Sequence, residues 1–234
     1  MANLAIITAR GGSKRIPGKN KKNFCGKPIL FYSIEAALEA GVFSEVMVST
    51  EDEEIASLAR QAGARVPFMR SRAAADDFAT TDQVILEVLR EYEKRGKNFN
   101  AFCCIYPTAP FLTGERLKQA MELLKEADSV MPVVPFSYPP QRGVVLDERG
   151  YIVRKYPEYA ETRSQDLEKI YHDCGQFYAC RTKAFLEAGT TDVEKLVPIC
   201  LSELEVQDID TFEDWEIAEW KYKSLRNRQE QDFQ

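Results

Sequence analysis

Four basic side chains, three glycines and a serine share one stretch, Ala9-Arg-Gly-Gly-Ser-Lys-Arg-Ile-Pro-Gly-Lys-Asn20. Gly11 and Gly12 let backbone N–H groups approach a polyanion closely, and Arg10, Lys14, Arg15 and Lys19 supply charge-assisted bonds to phosphate oxygens. Ser13 adds a hydroxyl. Two common nucleotide loops fail on spacing. A Walker A loop needs four residues between its glycines and Ser or Thr after its lysine. Here Gly12 and Gly18 enclose five, and Asn20 follows Lys19. A dinucleotide fingerprint needs G-x-G-x-x-G, which Gly11-Gly12 does not give. A kinase or P-loop ATPase is therefore disfavoured. A phosphate-binding loop and a merely solvated basic loop both remain open at this point.

Gln207-Asp-Ile-Asp210 is the second such stretch. In an extended run Asp208 and Asp210 point to the same side. Two carboxylates so placed repel unless a cation sits between them, and oxygen ligands suit Mg2+. The same pair could instead stabilise the N-terminus of a following helix. In Tyr106-Pro-Thr-Ala-Pro110 the prolines fix a rigid loop, either the wall of a nucleotide pocket or a plain strand-ending turn. His172 is the only histidine, which removes His-rich metal sites. It reads as a structural polar residue or as a hydrogen-bonding group in a sugar pocket. Cys174 and Cys180 lack zinc spacing, and Cys103 and Cys104 face opposite sides of a strand.

The elements that must position these groups alternate. Leu4–Ala9, Val46–Ser49, Phe102–Tyr106 and Val130–Val134 are short apolar runs, suited to strands covered on both faces. Helix signals lie between them. Pro28 reads as a first helical residue and Gly41 as a left-handed stop. Thr50-Glu-Asp-Glu53 reads as a capping box, Thr80-Thr-Asp-Gln83 opens the next helix, which Gly96 ends, and Thr113 caps another through Lys125. The order predicts a doubly wound, mostly parallel α/β sheet, with ligands beyond the carboxyl ends of its strands. The pattern breaks after Pro135. Residues 136–175 read as an insertion carrying a β-hairpin, Val144–Leu146 with Tyr151–Val153. Strands resume at Phe177–Arg181 and Val197–Leu201. Thr211-Phe-Glu-Asp214 starts a last helix to about Leu225, and a polar, fraying tail is expected beyond it.

The chain has 234 residues, 44% apolar and 29% charged, with 31 Lys+Arg against 37 Asp+Glu and a net charge of -6. This is ordinary globular composition, enough for one domain spanning 1–234. Net negative charge does not advertise bulk nucleic-acid binding. No apolar run approaches a membrane span, and Met1-Ala-Asn-Leu4 lacks the features of an export signal. With six cysteines in no disulfide framework, a cytoplasmic location is expected.

Together the basic loop, Val48-Ser-Thr-Glu-Asp52, Phe68-Met-Arg70, Tyr106-Pro-Thr-Ala-Pro110 and Asp208-Ile-Asp210 resemble the CMP-nonulosonate cytidylyltransferases, the family of CMP-sialic acid synthetases. The resemblance covers essentially the whole chain in order. Within the family, Tyr138-Pro-Pro-Gln-Arg142 and His172-Asp-Cys-Gly-Gln-Phe-Tyr178 are most similar to the pseudaminic acid branch. The resemblance implies a nucleotide-diphospho-sugar transferase-like fold and a CTP-phosphate loop of Arg10, Gly11, Gly12, Ser13, Lys14, Lys19 and Asn20. It implies nucleotide contacts at Arg70, Thr80, Thr81 and Tyr106, and Mg2+ ligands at Asp208 and Asp210. Lys19 and the two aspartates are the catalytic candidates. Gln141, Arg142, Arg163, His172, Gln176 and Tyr178 are candidates for the sugar pocket.

The insertion is implied to be a dimerisation element that reaches the partner's site, so a homodimer is expected. One position departs from the pattern: sialic acid enzymes carry Gln where this chain has Tyr106, which points away from N-acetylneuraminate. The implied reaction joins CMP from CTP to the anomeric C2 hydroxyl of a nonulosonic acid, releasing pyrophosphate. Legionaminate, N-acetylneuraminate or 3-deoxy-octulosonate in place of pseudaminate, and a non-catalytic nucleotide-sugar sensor, are the competing readings. The intact aspartate pair and the lysines argue against the sensor.

Overall fold

The computed structural model describes residues 2–76 and 79–232. Its strands are β1 (Asn3–Thr8), β2 (Asn23–Phe24), β3 (Lys27–Pro28), β4 (Glu45–Ser49), β5 (Ala101–Ile105), β6 (Ser129–Pro135), β7 (Val144–Leu146), β8 (Ile152–Arg154), β9 (Tyr171–Asp173), β10 (Phe177–Arg181) and β11 (Leu196–Cys200). Its α-helices are α1 (Ile29–Glu39), α2 (Glu53–Gln61), α3 (Thr81–Lys94), α4 (Gly114–Leu123), α5 (Thr182–Ala188) and α6 (Phe212–Asp232).

The main sheet runs β11-β6-β10-β5-β1-β4, with β9 also paired to β6. β1 is parallel to β4 and β5, and β11 is parallel to β6, whereas β10 runs antiparallel to β5 and β6. The sheet is therefore mixed. Leu4, Ala5, Ile6 and Ile7 of β1 are all fully buried, as a strand covered on both faces must be. Ala5, Ile7, Cys103 and Ile105 pack with Leu30, Ile34 and Leu117 of α1 and α4. Leu4, Ile6, Phe102 and Cys104 pack with Ile85, Val88 and Tyr92 of α3 and Phe185 of α5. Cys103 and Cys104 thus face opposite layers, as the pleat requires. At Gly114 an added Cβ would lie 2.8 Å from Ala40 N, so a glycine lets α4 start against the end of α1. A third cluster, with Ile16, Phe24, Tyr32, Ile209 and Trp215, docks the start of α6 under the basic loop.

Local signals hold best where the partners are near in sequence. Thr80 caps α3 and Gln83 returns the bond, completing the capping box. Thr113 caps α4, and Gly41 adopts φ 64° just past α1. Several expectations are corrected. Pro28 precedes α1 in an extended conformation and sits in β3. Asp52 rather than Thr50 caps α2, accepting from Glu54 N and Ile55 N, because the chain stays extended through Asp52. α6 continues to Asp232, past the expected end at Leu225. The segment 136–175 is not wholly an insertion, since β9 returns to pair with β6. The hairpin forms, with β8 one residue later than expected. Among the described residues no helix is long and apolar enough to cross a membrane.

Candidate active site

The carboxyl ends of β1, β4 and β5 open into one cleft of ≈ 620 Å³. Arg10, Ser13, Lys14, Lys19 and Asn20 enter it from the loop after β1, Arg70 from beyond β4, and Tyr106, Pro107 and Thr108 from the loop after β5. Thr81 reaches it from the first turn of α3, and Asp208 and Asp210 close the far side. Motifs separated by nearly 200 residues therefore share one wall-to-wall site, at the place where open α/β sheets bind ligands.

The run after β4 shapes the basic loop from below. Glu51 Oε1 accepts Gly11 N–H at 2.7 Å, and its buried Oε2 has no partner. Asp52 Oδ1 caps α2, while Oδ2 pairs with Lys21 Nζ at 3.2 Å. Burial works to raise the Asp52 pKa, but the two N–H bonds and Lys21 more than offset it and hold the carboxyl low. A Cβ on Gly11 would meet Asp52 Oδ2 at 2.7 Å, so this position needs glycine because of Asp52. Gly11 and Gly12 shape the loop without lining the cleft.

Arg70 is only 7% exposed and donates to Ser49 Oγ at 3.0 Å and Ser49 O at 2.6 Å. Burial works against its charge, and the nearby Glu51 carboxylate offsets part of that. Asn20, also buried, donates to Arg10 O at 2.8 Å and leaves Oδ1 without a partner. A ligand hydroxyl would satisfy that acceptor.

Between the two aspartates Ile209 is fully buried, so the run is extended and both carboxylates turn to the cleft. The Asp208 carboxyl is held above its ordinary value, first by lost hydration against the cleft wall and then by the Asp210 charge, with Lys19 opposing. Lys19 Nζ donates to Ile209 O at 2.6 Å and lies 3.6 Å from Asp210 Oδ1, which Arg15 Nη2 approaches at 2.7 Å. The sequence offered Arg15 as a phosphate ligand; the structure instead shows it paired with Asp210, which the sequence did not suggest. Among the described residues no third His, Cys, Asp or Glu joins the pair. Mg2+ needs none when it keeps waters and shares nucleotide phosphates, so the donor set fits that ion.

The sugar-pocket candidates are placed elsewhere. Gln141 is buried and donates to Glu168 O at 3.0 Å. Arg142 donates to the carbonyls of Ala160 and Thr162, and Arg163 pairs with Asp166 at 2.8 Å. These are bonds within the insertion of the same chain. Gln176 is buried and donates to Glu205 O at 2.6 Å. His172 is exposed on β9, its ring 4.6 Å from that of Phe136. Tyr178 donates to Asp173 and meets the Tyr106 ring edge-on at 5.7 Å. Burial, and then the bond to Asp173, keep its hydroxyl protonated. Tyr106 OH lies 3.2 Å from Thr81 Oγ1, so Tyr178 backs the cleft wall through Tyr106. None of these six residues lines the cleft, and Thr80 serves as a helix cap instead.

A protein-family model described as Cytidylyltransferase matches residues 4–204. The chain is 40% identical over 225 residues to a pseudaminic acid cytidylyltransferase of Campylobacter jejuni, covering 95% of this chain and 97% of that one. It is 35% identical over 224 residues to a CMP-N,N'-diacetyllegionaminic acid synthase of Legionella pneumophila, covering 92% and 94%. A solved CMP:2-keto-3-deoxy-manno-octonic acid synthetase complexed with CTP superposes with TM-score 0.69 at 17% identity, covering 96% of this chain and 100% of that one. The architecture is thus the Rossmann-like fold of nucleotide-diphospho-sugar transferases, with a mixed sheet. The chain belongs to the cytidylyltransferase family, in its CMP-nonulosonate group, and is an enzyme of that group.

Proposed function

We propose that this enzyme transfers CMP from CTP to the anomeric C2 hydroxyl of pseudaminic acid, releasing pyrophosphate, with Mg2+ held by Asp208 and Asp210. The observation that carries the chemistry is the convergence of Arg10, Ser13, Lys14, Lys19 and Arg70 with two carboxylates in one cleft. CTP brings several negative charges that an oxygen nucleophile must approach. The basic loop spreads and offsets that charge, mostly by positioning and electrostatics. Bound Mg2+ supplies charge neutralisation at the phosphates. The sugar oxygen forms a bond to the α-phosphorus as the bond to the pyrophosphate oxygen breaks, and the hydroxyl proton leaves to solvent or a cleft base. No side chain is needed as a nucleophile. Identity to the Campylobacter jejuni protein over nearly the whole chain favours pseudaminate.

Homodimer formation through the hairpin belongs to the same reading. Leu146 and Ile152 face each other in β7 and β8, 69% and 72% exposed, and a bare apolar hairpin of two strands gains stability by packing on a partner. In a dimer the insertion's Arg142 and Arg163 would be carried toward a neighbouring site. The test is pyrophosphate release from CTP with pseudaminate, legionaminate, N-acetylneuraminate and 3-deoxy-octulosonate in parallel. Release fastest with pseudaminate is expected. Preference for another acid overturns the substrate, and CTP binding without release from any acid points to a sensor.

A further inference from the structure

The run that carries the aspartate pair has one 3-10 turn, Glu203–Glu205, and no other regular structure up to α6. Side chains from α4, α6 and the loop between β9 and β10 nevertheless grip it just before Asp208. Gln176, 3% exposed, donates Nε2 to Glu205 O at 2.6 Å, and its own carbonyl accepts Tyr106 N–H at 2.9 Å. Arg116 of α4 places Nε and Nη2 at 3.1 and 2.8 Å from Glu205 Oε1. Glu205 Oε2 accepts from Ser202 N–H at 3.1 Å and Ser202 Oγ at 3.0 Å. Lys221 of α6 donates to Glu203 O at 3.2 Å and Val206 O at 3.1 Å. None of these groups lines the cleft.

We propose that Gln176 and Glu205, with Arg116, are positioning residues that hold Asp208 and Asp210 at the separation a divalent cation requires. Two like charges on one side of an irregular run relax by swinging one of them toward solvent. Hydrogen bonds from neighbouring elements oppose that movement. Gln176 is 3% exposed, and losing its donor removes the bond that holds the Glu205 carbonyl from the protein side. Gln176 also couples the pair to the opposite wall, because its backbone anchors Tyr106. The motif His172–Tyr178, read from sequence as sugar-facing, is assigned through Gln176 to the metal side of the reaction.

The inference rests on the metal role of the aspartates, and the test separates the two. The full-length chain would carry Gln176→Met, which keeps length but removes the donor, and separately Glu205→Gln, which keeps size but removes the charge that Arg116 holds. Mn2+ binding to the CTP complex, without sugar, is followed by electron paramagnetic resonance, beside thermal melting and Mg2+ titrations of turnover. Mn2+ affinity is expected to fall, and half-saturating Mg2+ to rise, by about 10- to 100-fold. KM for CTP at saturating Mg2+ should stay within about twofold, since the phosphate loop is untouched. Unchanged Mn2+ affinity in both folded variants overturns the inference, as does a lowered melting point with normal affinity in the folded fraction. A wild-type enzyme that binds no Mn2+ and turns over without Mg2+ overturns the metal reading itself.

Discussion

Arg15 and Lys19 both reach Asp210 Oδ1, at 2.7 and 3.6 Å, and distance alone ranks Arg15 first. Burial reverses the order. The Arg15 side chain is 65% exposed, and such a screened surface pair contributes about 0–1 kcal/mol. The Lys19 side chain is 19% exposed, and its Nζ also donates to Ile209 O at 2.6 Å. A hydrogen bond from a charged donor contributes about 1.5–3 kcal/mol. Lys19→Met keeps the stem and removes both contacts. With one charge-assisted bond of that size from the held ammonium to a CTP phosphate lost, it should lower kcat/KM for CTP by about 10- to 150-fold, at about 1.36 kcal/mol per decade. Arg15→Met should cost about fivefold at most, and less as salt rises. The assay is initial-rate pyrophosphate release at saturating sugar with CTP varied, at low and physiological salt. A larger loss for Arg15→Met than for Lys19→Met would show that distance to Asp210, not burial, sets the order.

Asp208→Asn and Asp210→Asn should each lower kcat by about 100-fold while leaving the circular dichroism spectrum and melting point close to wild type; wild-type rates at limiting Mg2+ would remove the metal role. Gly11→Ala puts a methyl 2.7 Å from Asp52 Oδ2. It should cost about 1–3 kcal/mol of stability and raise KM for CTP, and an unchanged urea midpoint would contradict the tight approach. Burial works to raise the Glu45 pKa, but hydrogen bonds from Lys97 and Tyr92 outweigh it and hold the carboxyl low. A depressed folded-state pKa contributes stability above the unfolded value, lost as pH falls through the folded value. Glu45→Gln should therefore destabilise at neutral pH, with the gap to wild type closing below about pH 4; urea midpoints against pH check this, and a constant gap would refute it. Leu146→Asp with Ile152→Asp should convert a dimer to monomer by light scattering, and a monomeric wild type would refute the dimer.

What the sequence made legible was local or carried by several residues of one motif. The Thr80–Gln83 box spans one helical turn and acts the same in any fold. Asp208 and Asp210 were placed together because strand alternation with a buried Ile209 between them leaves little choice. The direction of β10 was not legible, since the apolar pattern of Phe177–Arg181 is the same parallel or antiparallel. Asp52 displaced Thr50 as a cap because Thr50, Asp52 and the chain path depend on where β4 releases the backbone. Gln176 carried no local sign of its partner, 29 residues away. Arg142 and Arg163 were candidates for the sugar pocket, but the carbonyls of Ala160 and Thr162 hold the first and Asp166 the second, partners with no local sign in the sequence.

The most direct test of CMP transfer to pseudaminate is a 31P NMR time course of CTP, Mg2+ and pseudaminate with the purified protein. CTP should be consumed one-for-one into pyrophosphate and a single CMP-sugar phosphodiester, and no product should form with Mg2+ chelated. Formation of CMP and pyrophosphate without the phosphodiester, or of CDP and phosphate, or turnover unaffected by chelation, would contradict it.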